Sequence, residues 1–423
     1  MKDSGISWVG EIPKEWSVKK IKHISYVIGG NGFNVELQGL ESGDYPFCKA
    51  SDISNAGKYL DKAANYVTFD IVRDQHYNII PKGAILFPKI GEAMKKNNRT
   101  ICVLDCCADN NCQAIVPFER NSGMFLYYIL TCVNMGWFDN AGTIPCMNNR
   151  KFLNSKVPFP SLVEQQRIAE FLDRECGKID GLKADIQAQI DTLEQYKRSV
   201  ITEAVTHGLN PSAPMKDSGA GWMPLIPLHW KADKLKFHLR QRGIKNQIDK
   251  QVLSLYREYG IVPKDSRDDN HNVTSEDVSD YRYVRVGDFV VNKMKAWQGS
   301  VAVSNYEGIV SPAYFVYEFS DDLINKRYFH YLMRNKTYAT EFRRLSGGIR
   351  EGQWDLPSEA LNNTIILLPP LDEQQEIADY LDNKCAEIEQ IIADKKSQIE
   401  TLDGYKKSLI YEYVTGKKEV YYV

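Results

Sequence analysis

EQQRIAEFLDREC, residues Glu164 to Cys176, returns as EQQEIADYLDNKC at Glu373 to Cys385 with eight of its thirteen letters kept. The kept apolar letters recur three and four residues apart, which places them on one face of an α-helix. The echo continues at an offset of 209 residues. Asp173 meets Asp382, Ile179 meets Ile388, Leu193 meets Leu402, Tyr196-Lys197 meets Tyr405-Lys406 and Val205-Thr206 meets Val414-Thr415. Upstream, MKDSGISWVGEIPKEWSVKKIK at Met1 recurs as MKDSGAGWMPLIPLHWKADKLK at Met215, keeping Trp8/Trp222, Ile12-Pro13/Ile226-Pro227 and Trp16/Trp230. One chain therefore carries two tandem copies of one unit, each with an entry segment, a variable block and a long helix.

The helical rhythm runs far beyond the quoted phrase. In the first copy it passes through Ile168, Leu172, Cys176, Ile179, Leu182, Ile186, Ile190, Leu193, Tyr196, Val200 and Ala204, ten steps over 36 residues, the period of an α-helix. The second copy gives Ile377, Leu381, Cys385, Ile388, Ile391, Ile399, Leu402, Tyr405, Leu409 and Tyr413, with Lys395 standing where the first copy has Ile186. Prolines at 158 and 160, and at 369 and 370, sit where a helix begins. A stripe this long needs a covering partner, and the nearest one is the duplicate, so the two helices are expected to form an intramolecular antiparallel coiled coil. The alternative is that each helix folds down on its own block. Lys395 and Gly404 fall at or near inward positions and predict locally looser packing.

The boundaries expected are 1–157 for the first domain with its entry segment 1–24, 158–209 for the first helix, 210–368 for a linker and second domain with entry segment 215–238, and 369–423 for the second helix and tail. HGLNPSAP, from His207 to Pro214, is the turn between units. Both variable blocks, 25–157 and 239–366, read as mixed α/β: strand-rich sequence, then a helix, then a Gly-containing polar loop. Gly83-x-Ile85-x-Phe87-x-Lys89 parallels Gly287-x-Phe289-x-Val291-x-Lys293, so the blocks read as divergent versions of one fold. The fold class is α+β, with two α/β domains joined by a two-helix spacer in a pseudo-two-fold arrangement.

Composition narrows the function. The 423 residues carry 53 Lys+Arg against 55 Asp+Glu, a net charge of −2, so nucleic-acid binding has to rest on local clusters. The candidate clusters are Lys89, Lys95, Lys96 and Arg99 in the first block, and Lys293, Lys295, Trp297, Gln298, Arg343, Arg344 and Arg350 in the second. Arg240, Arg242 and Lys245 open the second block. Cations interleaved with amides and aromatics on loops suit phosphate positioning and base-edge reading; a solvated face or internal ion pairs is the competing reading. The sequence has no GxxxxGK[ST] phosphate loop, no HExxH, no Gly-rich dinucleotide fingerprint and no Asn/Asp-Pro-Pro-aromatic run, so catalysis and cofactor binding by this chain are not expected. Cys102, Cys106, Cys107 and Cys112 supply four thiols, but they lack paired C-x2-C spacing and lie in an apolar run, which reads as core cysteine and not as zinc. Nine cysteines without a signal-like start, and no apolar run of membrane-spanning length, place the chain in the cytoplasm with reduced thiols.

The paired entry segments, the unlike blocks, and PSLVEQQRIAEFLD with PPLDEQQEIADYLD opening the long helices resemble the specificity subunit of type I restriction-modification enzymes over essentially the whole chain. VNKMKAWQGSVAVSNYEGIVSPAYFVYEF in the second block adds to the resemblance. It implies two target recognition domains that each read half of a split duplex DNA site, with spacer helices, including Ile168, Leu172, Ile179, Leu193, Ile377, Leu381, Ile388 and Leu402, that dock two modification (methyltransferase) subunits. Restriction subunits would join for cleavage, and S-adenosylmethionine, ATP and Mg²⁺ would belong to those partners. If the helices act as a ruler, inserting one turn after Gln189 lengthens the unread gap and leaves both half-sites unchanged. A protein-binding scaffold without DNA contact is the alternative from another class.

Overall fold

The computed structural model describes residues 1–140, 142–257, 259–266, 274–348 and 354–420. Two compact units emerge, one of Met1–Ile186 with Ser397–Val423 and the other of Gln187–Lys396. The long helices run unbroken from Leu162 to His207 and from Leu371 to Val414, so each unit takes the first part of one helix and the last part of the other. At 46 and 44 residues these helices are about 69 and 66 Å long.

In the first unit a five-stranded sheet has the order Ser25–Gly29, Cys112–Pro117, Ile85–Pro88, Thr100–Cys102, Tyr59–Leu60. All its neighbours are antiparallel except the last pair. In the second unit a four-stranded antiparallel sheet runs Leu239–Arg242, Tyr314–Phe319, Phe289–Asn292, Val301–Val303. The first four positions correspond strand for strand. The two Gly-x-apolar-x-apolar-x-Lys phrases occupy the same strand of each sheet, and Gly83 (φ 84°) and Gly287 (φ 87°) supply the left-handed turn that starts it.

Period-two alternation divides each sheet between two cores. Ile85, Phe87, Ile101 and Ile115 face one cluster while Leu86, Cys102, Cys112 and Ala114 face another. Phe289, Val291, Val301 and Val303 likewise face one cluster, and Val290, Ala302 and Val316 the other. Burial on both faces explains why these strands read as unbroken apolar runs. The strand entering each block pairs with the strand that leaves it, Ser17–Lys20 with Lys156–Phe159 and Lys231–Lys234 with Ile365–Leu368.

The echoed phrase turns into core. Ile168, Ala169, Leu172, Cys176 and Ile179 are buried in the first unit's main cluster, and Ile377, Ala378, Leu381, Cys385 and Ile388 are buried in the second unit. The helix ends enter the same cores: Leu409, Ile410 and Val414 in the first, Val200, Ala204 and Val205 in the second. Both arrangements open to the sequence are therefore present, the first half of each helix on its own block and an antiparallel partner beside it. In the first unit Phe171 packs on Tyr413 at 4.4 Å between ring centroids, and Lys406 Nζ meets Asp180 at 2.7 Å. In the second unit Lys197 pairs with Glu389, the repeat-equivalent bridge, and Lys395 donates to Gln189. These ion pairs are half exposed and each contributes about 0–1 kcal/mol, so they set register more than stability.

Several inward positions expected from the stripe are not inward. Leu182 (52% exposed), Tyr196 (48%), Ile391 (37%) and Tyr405 (57%) face solvent, and Ile392 is buried in place of Ile391. Leu193 and Leu402 are half-buried. A 3.6-residue stripe drifts by about 20° per heptad against the 3.5-residue seam of a helix pair, so over several turns its members leave the contact line. Lys395 is half-buried, its ammonium bonded across to Gln189.

Candidate nucleic-acid interface

Each block is fixed to its long helix by the same two side chains. Gln165, 1% exposed, accepts the Ser122 N–H at 3.0 Å and donates to Pro160 O. Ser122 is the N-cap of the helix Gly123–Thr131, its hydroxyl taking the Phe125 N–H. In the second unit Gln374, also 1% exposed, accepts the Asn325 N–H at 2.8 Å and donates to Pro369 O and Leu323 O. Asn325 caps the helix Lys326–Arg334. Two turns along the long helix, Asp173 accepts from the Tyr128 hydroxyl and the Lys58 ammonium. Asp382 accepts from the Tyr331 hydroxyl at 2.8 Å and from Arg327. Tyr128 and Tyr331 stand at the same place relative to their caps. Sequence reasoning finds the repeated Gln and Asp letters but not this role; the matching Tyr six residues after a Ser/Asn cap is the available signal.

The cationic candidates divide by environment. Lys89 is half-buried at the end of its strand, its backbone tied to Asn111 O and Met147 N. Lys95 is exposed and paired with Glu92 at 2.9 Å, and Lys96 is exposed. Arg99 corrects the sequence reading: it is 5% exposed and donates inward to Asn97 O and Val133 O, and burial pushes its pKa down to about 10. It holds the loop around the left-handed Asn97 and presents nothing to a duplex. Arg240 and Arg242 are bound to Glu318, Arg242 also to Asp288, and Lys245 to Asp280; these are the internal ion pairs of the competing reading.

In the second unit two of the remaining candidates, Trp297 and Arg343, are brought together. Lys293 pairs with Asp355 at 2.9 Å, and the Leu356 N–H bonds to Lys293 O. Trp297 and Trp354 lie 5.5 Å apart at 57°, with the Arg343 guanidinium 5.9 Å from each ring. Lys295 and Gln298 are exposed on the same loop as Trp297. Arg344 is drawn back to Glu341 by two 2.7 Å bonds. Arg350 lies outside the described residues.

All four cysteines are buried, Cys102, Cys106 and Cys112 in one cluster of the first unit and Cys107 in another, with the Cys102 and Cys106 sulfurs 3.5 Å apart. Burial raises the Cys107 thiol to about 12 and pushes Cys112 upward as well, so these groups stay protonated core side chains. His330, against the strand Val301–Val303, accepts the Val303 N–H at 3.3 Å and is pushed down to about 4 by burial and the neighbouring Arg334 charge. The unfolded chain binds this proton near pH 6.5 and the folded chain only near 4. Its contribution to stability is therefore complete above pH 6.5 and lost as pH falls toward 4, on the order of 3 kcal/mol. Urea unfolding at pH 7 and pH 5 should show a smaller acid loss for His330→Gln than for the parent chain; equal losses would remove His330 as the cause.

The model described as "Type I restriction modification DNA specificity domain" matches residues 13–192 and 244–401, both copies of the unit. The chain belongs to the type I restriction-modification DNA specificity family. Among relatives in this family, the MjaIX specificity subunit of Methanocaldococcus jannaschii is 30% identical over 173 residues, 39% of this chain and 38% of that protein. The chain thus spans about two fifths of that relative. The EcoKI specificity subunit of Escherichia coli K12 is 20% identical across 96% of this chain and 90% of that one. A structure solved for complex assembly and conformational transition of the type I R-M system has a chain that superposes with a TM-score of 0.66 at 14% identity, covering 96% of this chain and all of that one. That likeness is one of fold, over 96% of this chain. No helix among the described residues is long and apolar enough to cross a membrane.

Proposed function

We propose that this chain is a non-catalytic, DNA-reading specificity subunit in which each recognition domain, within 1–157 and 210–368, recognises one half of an asymmetric split site in duplex DNA. The observation that carries the reading is identical anchoring of unlike surfaces: Gln165 and Gln374, with Asp173 and Asp382, seat two blocks of common strand order whose loops differ in sequence and length. Duplicated scaffolding with divergent loops is what two different half-sites require. The helices within 158–209 and 369–423 set the unread gap. The register fixed by Asp180–Lys406 and Lys183–Asp403 brings exposed Leu182 level with exposed Tyr405 in the first unit, and Lys197–Glu389 brings Tyr196 level with Ile391 in the second. These are two copies of one apolar patch, a fit for two identical modification subunits carrying S-adenosylmethionine. Restriction subunits, with ATP and Mg²⁺, complete the assembly.

Binding of the full chain to duplex DNA tests the reading against a pure protein scaffold. Affinity should fall about tenfold or more between roughly 50 and 200 mM salt as counterions are released; a chain that is not retained on duplex DNA even at the lower salt supports the scaffold. In the same preparation, Tyr196→Asp with Tyr405→Asp should prevent co-purification with the modification subunit and leave DNA retention intact.

A further inference from the structure

We infer that Lys89 with Gly29, and their counterparts Lys293 with Gly243, each hold one phosphate of the DNA backbone, so that both half-sites are gripped at the same point of the two blocks. The inference rests on the DNA-reading function proposed above. Sheet register makes the two pairs equivalent. Gly29 pairs with Gln113, and Lys89, one residue past the strand Ile85–Pro88, donates its N–H to Asn111 O at 2.7 Å. Gly243 directly follows Arg242, which pairs with Val316, and Lys293, one residue past the strand Phe289–Asn292, donates to Ala313 O at 3.2 Å. Each lysine carbonyl also accepts an N–H from the polar loop that closes its block, Met147 in one case and Leu356 in the other, both at 2.9 Å. Both lysines are therefore rooted in fixed backbone at the same corner of the sheet, and both are half-buried.

The chain itself does not require these glycines. Glycine weakens a strand, and neither position uses its conformational freedom, since neither has a positive φ. Among the described residues, a Cβ on Gly29 would meet only the Lys89 ammonium, at 3.7 Å, and one on Gly243 would meet nothing within 4 Å. What each glycine leaves is an open approach at the sheet corner that carries the lysine, the kind a strand keeps where another backbone comes close. Two half-sites of different sequence have the sugar–phosphate backbone in common. Features repeated in two otherwise divergent blocks therefore suit phosphate, and the divergent loops suit bases. Lysine fits that part, because its compact ammonium meets a phosphate oxygen as a point charge, without the planar fork that base edges favour. The two sites differ in one respect. Lys293 is paired with Asp355 at 2.9 Å, so in the second block the phosphate displaces a carboxylate, whereas the Lys89 ammonium lies beside Gly29.

Binding of the full chain to duplexes selected from a randomised pool, measured between roughly 50 and 200 mM salt and followed by sequencing, tests the assignment. Lys89→Met and Lys293→Met should each weaken binding about equally across the selected sequences. Each should also lower the slope of log affinity against log salt by about 1, and the two together by about 2. The enriched motif should stay the same, and Lys89→Arg should keep the parent slope. Gly29→Val with Gly243→Val should lower the slope as the paired lysine variants do, by closing the approach. Its urea midpoint should equal or exceed the parent's, because valine favours a strand, so weaker binding there cannot come from a loosened fold. Relaxed discrimination at one base position would make the lysine a base contact and overturn the inference. An unchanged slope in any of the methionine or valine variants, or a lowered midpoint in the valine variant, overturns it as well. A parent chain that duplex DNA does not retain overturns the proposed function and this inference together, whereas a retained parent whose variants keep its slope overturns the inference alone.

Discussion

Four residues inserted after Gln189, together with four inserted after Asp394, are expected to widen the unread gap of the recognised site by about two base pairs while both half-sites stay the same. Insertion in the first helix alone is the simpler experiment suggested by sequence, and the packing shows why it is incomplete. Gln189 is bonded to Lys395, and beyond it Lys197 is bonded to Glu389. Lengthening one strand of an antiparallel pair displaces every later residue from its partner, so the single insertion should yield a poorly folded or weakly binding chain. Matched insertions restore the pairing on either side. One added turn extends each helix by about 6 Å, close to the rise of two base pairs, and four residues overshoot a full turn by only about 40°. Mapping methylated positions in DNA from cells that express the doubly lengthened chain with its modification subunit reads the result. A motif with an unchanged gap would show that the helices do not set the spacing.

The tandem architecture is legible because repetition and period are properties of the letters themselves. Spacing on a helix reveals which residues share a face, but not which face finds a partner. Leu182, Tyr196, Ile391 and Tyr405 fit the stripe as well as Leu172 or Ile388, yet within their units these four are exposed, where a narrow two-helix seam leaves them in solvent, while Leu172 and Ile388 are buried. The same limit governs the cations. Arg99 and Lys96 are three positions apart in one polar run, and only the left-handed turn at Asn97 sends one inward and leaves the other outside. Arg240, Arg242 and Lys245 read as a basic opening to the second block, but strand pairing sets Glu318 beside Arg240, with Asp288 on an adjoining strand end. In contrast, Trp297 and Arg343 are 46 residues apart in sequence, and no local pattern announces their contact.

Gln374→Leu is expected to lower the stability of the second unit by about 3–5 kcal/mol, and Gln165→Leu that of the first by about 2–3 kcal/mol. The substitution is nearly isosteric, so the packing loss is small and the cost lies in the polar groups left behind. Gln374 satisfies the Asn325 N–H, Pro369 O and Leu323 O from a position 1% exposed. Gln165 satisfies only the Ser122 N–H and Pro160 O. A buried amide group stripped of its partner costs about 1–3 kcal/mol, and three such groups against two rank the variants. Both also loosen the cap of the helix on which the Tyr–Asp bond depends, so hydrogen exchange should rise in residues 326–334 for one variant and 123–131 for the other, each without effect on the opposite block. Gln→Glu is the sharper control, since its carboxylate can still accept the cap N–H but cannot donate to the carbonyls and places a charge in the core; it should be at least as damaging as Leu near neutral pH. If chemical denaturation shows both leucine variants within about 0.5 kcal/mol of the parent, the echoed EQQ is not what seats the blocks, and the repeated phrase must be explained by its apolar face alone.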